Sequence, residues 1–136
     1  MTFTLHPRLE SDSTYVCDLP LSQVRLSLNS TFPWILLIPK RADVREILDL
    51  DDEDQAQLMR EIVQVSRAIQ SIYQPDKINV GSLGNIVPQL HVHVVARYVG
   101  DKAWPSAAWK GDFYVPYPPE DLKVAVEKLR EKLAIH

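Results

Sequence analysis

Cysteine is nearly missing from this chain: Cys17 stands alone among 136 residues. One thiol excludes an internal disulfide and leaves no cysteine pair from which a zinc site could be built. Long apolar runs are missing too. The longest, Trp34-Ile35-Leu36-Leu37-Ile38-Pro39, falls far short of the ~20 residues that a membrane-spanning helix needs. The first ten residues include His6, Arg8 and Glu10 and hold no apolar signal core. A cytoplasmic protein without a membrane partner is therefore expected. Nor is there an excess of positive charge. Fifteen Lys and Arg stand against 18 Asp and Glu, a formal net charge of -3, so no overall field draws in nucleic acid or an anionic surface. Any anion that binds must be attracted by local geometry. No internal repeat, low-complexity tract or linker divides the chain.

What remains is an ordinary globular balance of apolar and charged residues, at a length that fits one domain spanning 1–136. Its core is expected over about 13–98, with a C-terminal loop and helix over 99–136. The first half reads as strands at 13–19 and 24–29, where Val24, Leu26 and Leu28 alternate with Arg25, Ser27 and Asn29. Residues 34–38 are apolar throughout, as in a central strand covered on both faces, and Pro39 ends them. Asp51 is a good helix N-cap. Behind it Leu58, Ile62, Val65, Ile69 and Ile72 recur every three or four residues, one apolar stripe along a helix that Gln74-Pro75-Asp76 terminates. Strands are expected again at 77–83 and 89–98. The stretch 100–119, with Trp104, Trp109 and four prolines, reads as an ordered loop whose tryptophans pin it in place. A last amphipathic helix carries Leu122, Val126, Leu129 and Leu133. This order predicts an α+β fold with a mainly antiparallel sheet, one long helix and a C-terminal helix.

The chemistry concentrates in Gln89-Leu90-His91-Val92-His93-Val94-Val95. On a strand alternate side chains share a face, so Gln89, His91 and His93 are expected to project together, ~6.5–7 Å apart. Such a row can bracket a phosphoryl group. Imidazole, with an ordinary pKa of about 6.5, is largely neutral at pH 7, and its free nitrogen can attack phosphorus. His91 is the better nucleophile candidate, with a polar neighbour on each side and the backbone carbonyl of Gln89 within reach of its other ring nitrogen. Two exposed histidines of no special role would show the same pattern. So would two ligands of a metal, but zinc sites usually need three, and only His6 and His136 remain. No metal is therefore expected.

Together with the preceding Gly84-Asn85-Ile86-Val87, this pattern resembles the signature of the histidine-triad nucleotide-binding proteins. The likeness runs from about Val24 to Arg97 and includes Ile38-Pro39-Lys40 and the long helix ahead of the motif. The resemblance implies a hydrolase or transferase that cleaves at the α-phosphate of a nucleotide, a purine nucleotide being favoured. Its substrate would be a phosphoramidate, a dinucleoside polyphosphate or a nucleotidyl ester. His91 would carry the covalent nucleotidyl intermediate and His93 would assist near the leaving group. Asn85 and Asn79 would lie near the phosphate, and Asn29 would bond the ribose. No cofactor is implied, and a homodimer is, joined edge to edge with the long helix at the interface. Three positions depart from the pattern. Gln89 replaces the first triad histidine, Trp34 aligns with a fourth on the neighbouring strand, and Ile86 stands where Ser or Thr is common. The site should thus hold less positive charge. A nucleotide-binding regulatory module with little turnover is the alternative, and an interaction domain would leave the histidine row unexplained.

Overall fold

The computed structural model describes residues 2–134; His136, considered above as a metal ligand, lies outside the described residues. Five strands form one antiparallel sheet: β1 (Ser13–Asp18), β2 (Ser22–Ser27), β3 (Trp34–Pro39), β4 (Lys77–Gly81) and β5 (Val92–Arg97), in the order β1-β2-β3-β5-β4. Three helices accompany it, α1 (Pro7–Asp12), α2 (Asp52–Tyr73) and α3 (Pro119–Ala134). Among the described residues no helix is long and apolar enough to cross a membrane.

Period-two alternation sorts the sheet into two faces. Val24 and Leu26 of β2, Ile35 and Leu37 of β3, and Val92, Val94 and Ala96 of β5 enter the main core, which α2 and α3 cover. Leu36 and Ile38 of β3 point the other way and pack with Leu9 of α1 and Val87. The apolar run of β3 is therefore covered on both faces, as its composition suggested. Register sets the opposite face of β5 against it: Leu36 pairs with His93 and Trp34 with Val95.

Helix α2 starts where Asp51 accepts a hydrogen bond from the Asp54 N–H at 2.8 Å, and it closes at Gln74 in the left-handed conformation (φ 46°). Its buried stripe differs from the expected one. Leu58, Val65 and Ile69 are buried, whereas Ile62 and Ile72 are only partly so; Glu61 and Ala68 complete the stripe. Glu61 is fully buried because its carboxylate accepts from the backbone N–H groups of Leu21 (2.8 Å) and Ser22 (3.0 Å) at the β1–β2 turn. A buried charge is tolerable when hydrogen bonds replace its water. One carboxylate thus ties helix to hairpin.

One element is additional and one boundary needs correcting. The short helix α1 was not read from the sequence, although Pro7 stands in its first turn and the His6 ring caps it by accepting from the Arg8 N–H (3.0 Å). The motif strand also begins at Val92, not at Gln89. Pro88 has no N–H for a ladder, and the Leu90 N–H donates to the Val44 carbonyl (3.0 Å), outside the sheet.

The burial of α2 fixes an expected outcome. Ile69→Ala should cost roughly 2–5 kcal/mol and Ile62→Ala distinctly less, as expected for a fully buried and a half-buried site. Urea titration of both variants checks this; equal losses would contradict the placement of the stripe.

Candidate active site

His91 and His93 sit at the mouth end of β5, where α1, the loop after β4 and the segment after β5 come together. They border a cleft of about 380 Å³ that is also lined by Arg8, Ser27, Trp34 and Asn85. Gly84, in the left-handed conformation (φ 71°), turns the loop that carries Asn85 over this cleft. At Gly81 the reason for glycine is close approach. A β-carbon there would lie 2.8 Å from the indole of Trp109, whose ring packs tilted at 39° beside His93.

Both imidazoles are fixed at Nδ1. That of His91 lies 2.7 Å from the Gln89 carbonyl, the contact the sequence suggested. A carbonyl only accepts, so the proton is on Nδ1 and the Nε2 of the neutral ring keeps its lone pair. His93 is held the other way round: Trp34 Nε1–H donates to its Nδ1 at 2.8 Å. The two rings meet edge to face with centroids 5.0 Å apart. Burial lowers the pKa of His93 to about 4, and the neighbouring His91 pushes in the same direction. The Nε2 of each ring is therefore free to act, as a lone pair on His91 and as an N–H donor on His93.

The other predicted site residues divide. Asn85 lines the cleft. Gln89 does not share the histidine face: its Oε1 accepts from the His6 N–H (2.8 Å) and its Nε2 donates to the Thr4 carbonyl (2.8 Å). Its side chain anchors the N-terminal segment, and its backbone carbonyl is what reaches His91. Asn79 is not in the cleft lining either, since its Oδ1 accepts from Arg97 (2.9 Å). Asn29 donates to the Phe113 carbonyl (2.7 Å) and accepts from Val115 N–H (3.1 Å), so its amide holds the C-terminal loop, and it is not among the residues that line the cleft. Ser27, two residues earlier, is the β2 residue that faces the cleft.

Arg8, Asp12, Ser27 and Trp109 line the cleft without having been singled out as site residues. Arg8 and Asp12 form an exposed i,i+4 ion pair on α1 (3.0 Å); only the recognition of α1 as a helix would have found it. Trp104 fits the structural reading, stacked 5.8 Å from the Arg97 guanidinium. Arg97 is fully buried and grips Asp101 through two bonds (2.8 and 2.9 Å), which hold the Asp101 carboxyl down to about 2. That cluster locks the start of the loop carrying Trp109.

The family model described as HIT domain matches residues 8–100. An AP-4-A phosphorylase of Mycobacterium tuberculosis is 32% identical over 106 residues, 73% of this chain and 54% of that protein. The chain thus spans about half the length of the curated relatives it matches. Among solved structures, a histidine triad protein of Bradyrhizobium japonicum is 44% identical over 98% of this chain and 99% of that one, with a TM-score of 0.95. Another from Marinobacter aquaeolei is 38% identical over 98% of each chain, also with a TM-score of 0.95.

Holding His93 neutral links stability to pH. The unfolded chain takes up this proton near 6.5 and the native state only near 4, so between these values the unfolded state binds more protons. Stability should therefore fall as pH drops from about 6.5 towards 4. In His93→Asn the slope over that window should flatten. Denaturant titrations at several pH values measure it; an unchanged slope would show that His93 titrates normally in the fold.

Proposed function

The chain belongs to the HIT domain family, and from that premise we propose that it is a nucleotidyl hydrolase or transferase working through a covalent adduct on His91. One observation carries this reading. The Gln89 carbonyl takes the Nδ1–H of His91 at 2.7 Å, so the Nε2 lone pair is available at the cleft, beside a second imidazole that is a fixed donor.

In the first half-reaction Nε2 of His91 forms a bond to the α-phosphorus while the bond to the leaving group breaks. The bonding pair departs with the leaving group, and the Nδ1–H to carbonyl bond strengthens as the ring becomes positive. In the second half, water or another acceptor attacks the same phosphorus. The P–N bond breaks, its pair returns to Nε2, and the acceptor's proton passes to solvent. The Nε2–H of His93 donates to an oxygen of the reacting group, a preorganised dipole that costs no rearrangement during the step. Arg8 supplies the cation of the lining, and Asn85 an amide over the phosphate side. Ser27 stands at the β2 end, where the sugar would lie. The relative named AP-4-A phosphorylase supports a nucleotide with more than one phosphate as substrate class.

The proposal includes a homodimer. β4 is an outer strand of the sheet with Val80 exposed, and Met59 and Val63 of α2 and Leu48 before it leave further apolar surface uncovered. A second copy of the chain would cover such surface.

His91→Ala and His91→Asn should lower turnover of a dinucleoside polyphosphate by at least about a thousandfold. Nucleoside monophosphate should still raise the melting temperature of both variants, because most contacts in the cleft survive. Steady-state rates and intact mass of the wild-type protein under turnover give the readout. Near wild-type rates in His91→Ala, or an adduct mapped to another residue, would overturn the mechanism.

A further inference from the structure

Trp34 is the cleft residue whose side chain hydrogen-bonds directly to one of the two histidines. Its indole N–H meets Nδ1 of His93 at 2.8 Å, with the two rings edge to face at 5.5 Å. Trp109 closes a second side of the imidazole at 5.6 Å and His91 a third at 5.0 Å. An indole nitrogen donates and never accepts. A protonated His93 would set N–H against N–H, so the ring is confined to the neutral form with its proton on Nε2. Burial among aromatic rings opposes the imidazolium in the same sense.

This matters for the leaving group. A neutral Nε2–H can donate a hydrogen bond but is a very weak acid, since giving the proton away would leave a strongly basic imidazolate with no partner at Nδ1 able to stabilise it. The other cleft side chains do not replace it. Arg8 stays charged, Asp12 is ion-paired with it at 3.0 Å, and His91 is the nucleophile of the reading above. Gln89 is turned to Thr4 and His6. The cleft can stabilise a departing anion and has no acid to protonate one.

We infer that Trp34 is a positioning residue that fixes His93 as a donor instead of an acid, and that the site therefore acts on phosphoanhydrides in preference to phosphoramidates. The inference rests on the His91 nucleotidyl-transfer reading. With an anhydride, the N–P bond forms as the bridging P–O bond breaks, and its pair stays on the bridging oxygen. That oxygen leaves as part of a phosphate whose second pKa is about 6, so no proton is needed. With a phosphoramidate the pair goes to an amine nitrogen, a strong base that must be protonated as it leaves.

The test compares kcat/KM for diadenosine tetraphosphate and adenosine 5′-phosphoramidate between about pH 5 and 8 in the full chain. The wild type should favour the anhydride by at least about tenfold, with no acid limb from His93. In Trp34→Phe, which keeps an aromatic ring and loses the N–H, His93 becomes able to take a proton. The ratio should move at least about fivefold towards the phosphoramidate at low pH, and an acid limb should appear. Trp34→His puts a titratable ring at that place and should shift the ratio in the same direction, so either folded variant carries the comparison. A wild type that turns over the phosphoramidate as well as the anhydride would overturn the selectivity and leave the His91 chemistry standing. Unchanged ratios and pH profiles in the folded variants would overturn the role of Trp34. Failure of the wild type to turn over either compound would bring down the inference together with the function it rests on.

Discussion

Each imidazole of the cleft is gripped at Nδ1, and the two grips have opposite character: a carbonyl that can only accept holds His91, and an indole that can only donate holds His93. Every proposed step follows from that asymmetry. It requires the Gln89 carbonyl and the Trp34 ring to stay within hydrogen-bond distance of rings two residues apart. The register of β3 against β5 provides the second contact. The first depends on the segment before β5, which the Gln89 side chain straps to the N-terminal residues through Thr4 and His6. Position 89 thus matters twice, once through its backbone and once as an anchor.

The same arrangement explains how a site with few positive charges can still manage an anion. His93 is kept neutral and Gln89 is turned away, which leaves the Arg8 guanidinium, itself paired with Asp12, one donor N–H and an amide. On the proposed reading, attraction for a phosphate comes from directed dipoles in a partly enclosed cleft, where they act more strongly than in water. A chain of net charge -3 needs such local placement. The buried clusters away from the cleft serve it indirectly. Glu61 fixes the β1–β2 turn to α2, and Arg97 with Asp101 fixes the loop from which Trp109 reaches His93.

Much of this was legible because it is periodic or adjacent. The two-residue spacing of His91 and His93, the cap at Asp51 and the double-sided apolar run of β3 are local patterns, and local geometry realises them. The Gln89 carbonyl contact spans two residues and was readable for the same reason. The expected site residues that lie outside the cleft lining are those whose amides find partners far along the chain. Asn29 bonds to Phe113 and Val115, Asn79 to Arg97, and Gln89 to Thr4 and His6. An isolated Asn or Gln carries no mark of which distant backbone will claim it. Arg8 and Asp12 were missed because a six-residue helix leaves almost no periodic signal.

The central claim is the pair of opposite tautomers, and nitrogen-15 NMR of the histidine rings tests it most directly. In the free wild-type protein His91 should carry its proton on Nδ1 and His93 on Nε2, and His93 should keep that form down to about pH 5. Two rings in the same tautomer, or a His93 that titrates near the free-imidazole value of about 6.5, would contradict the account.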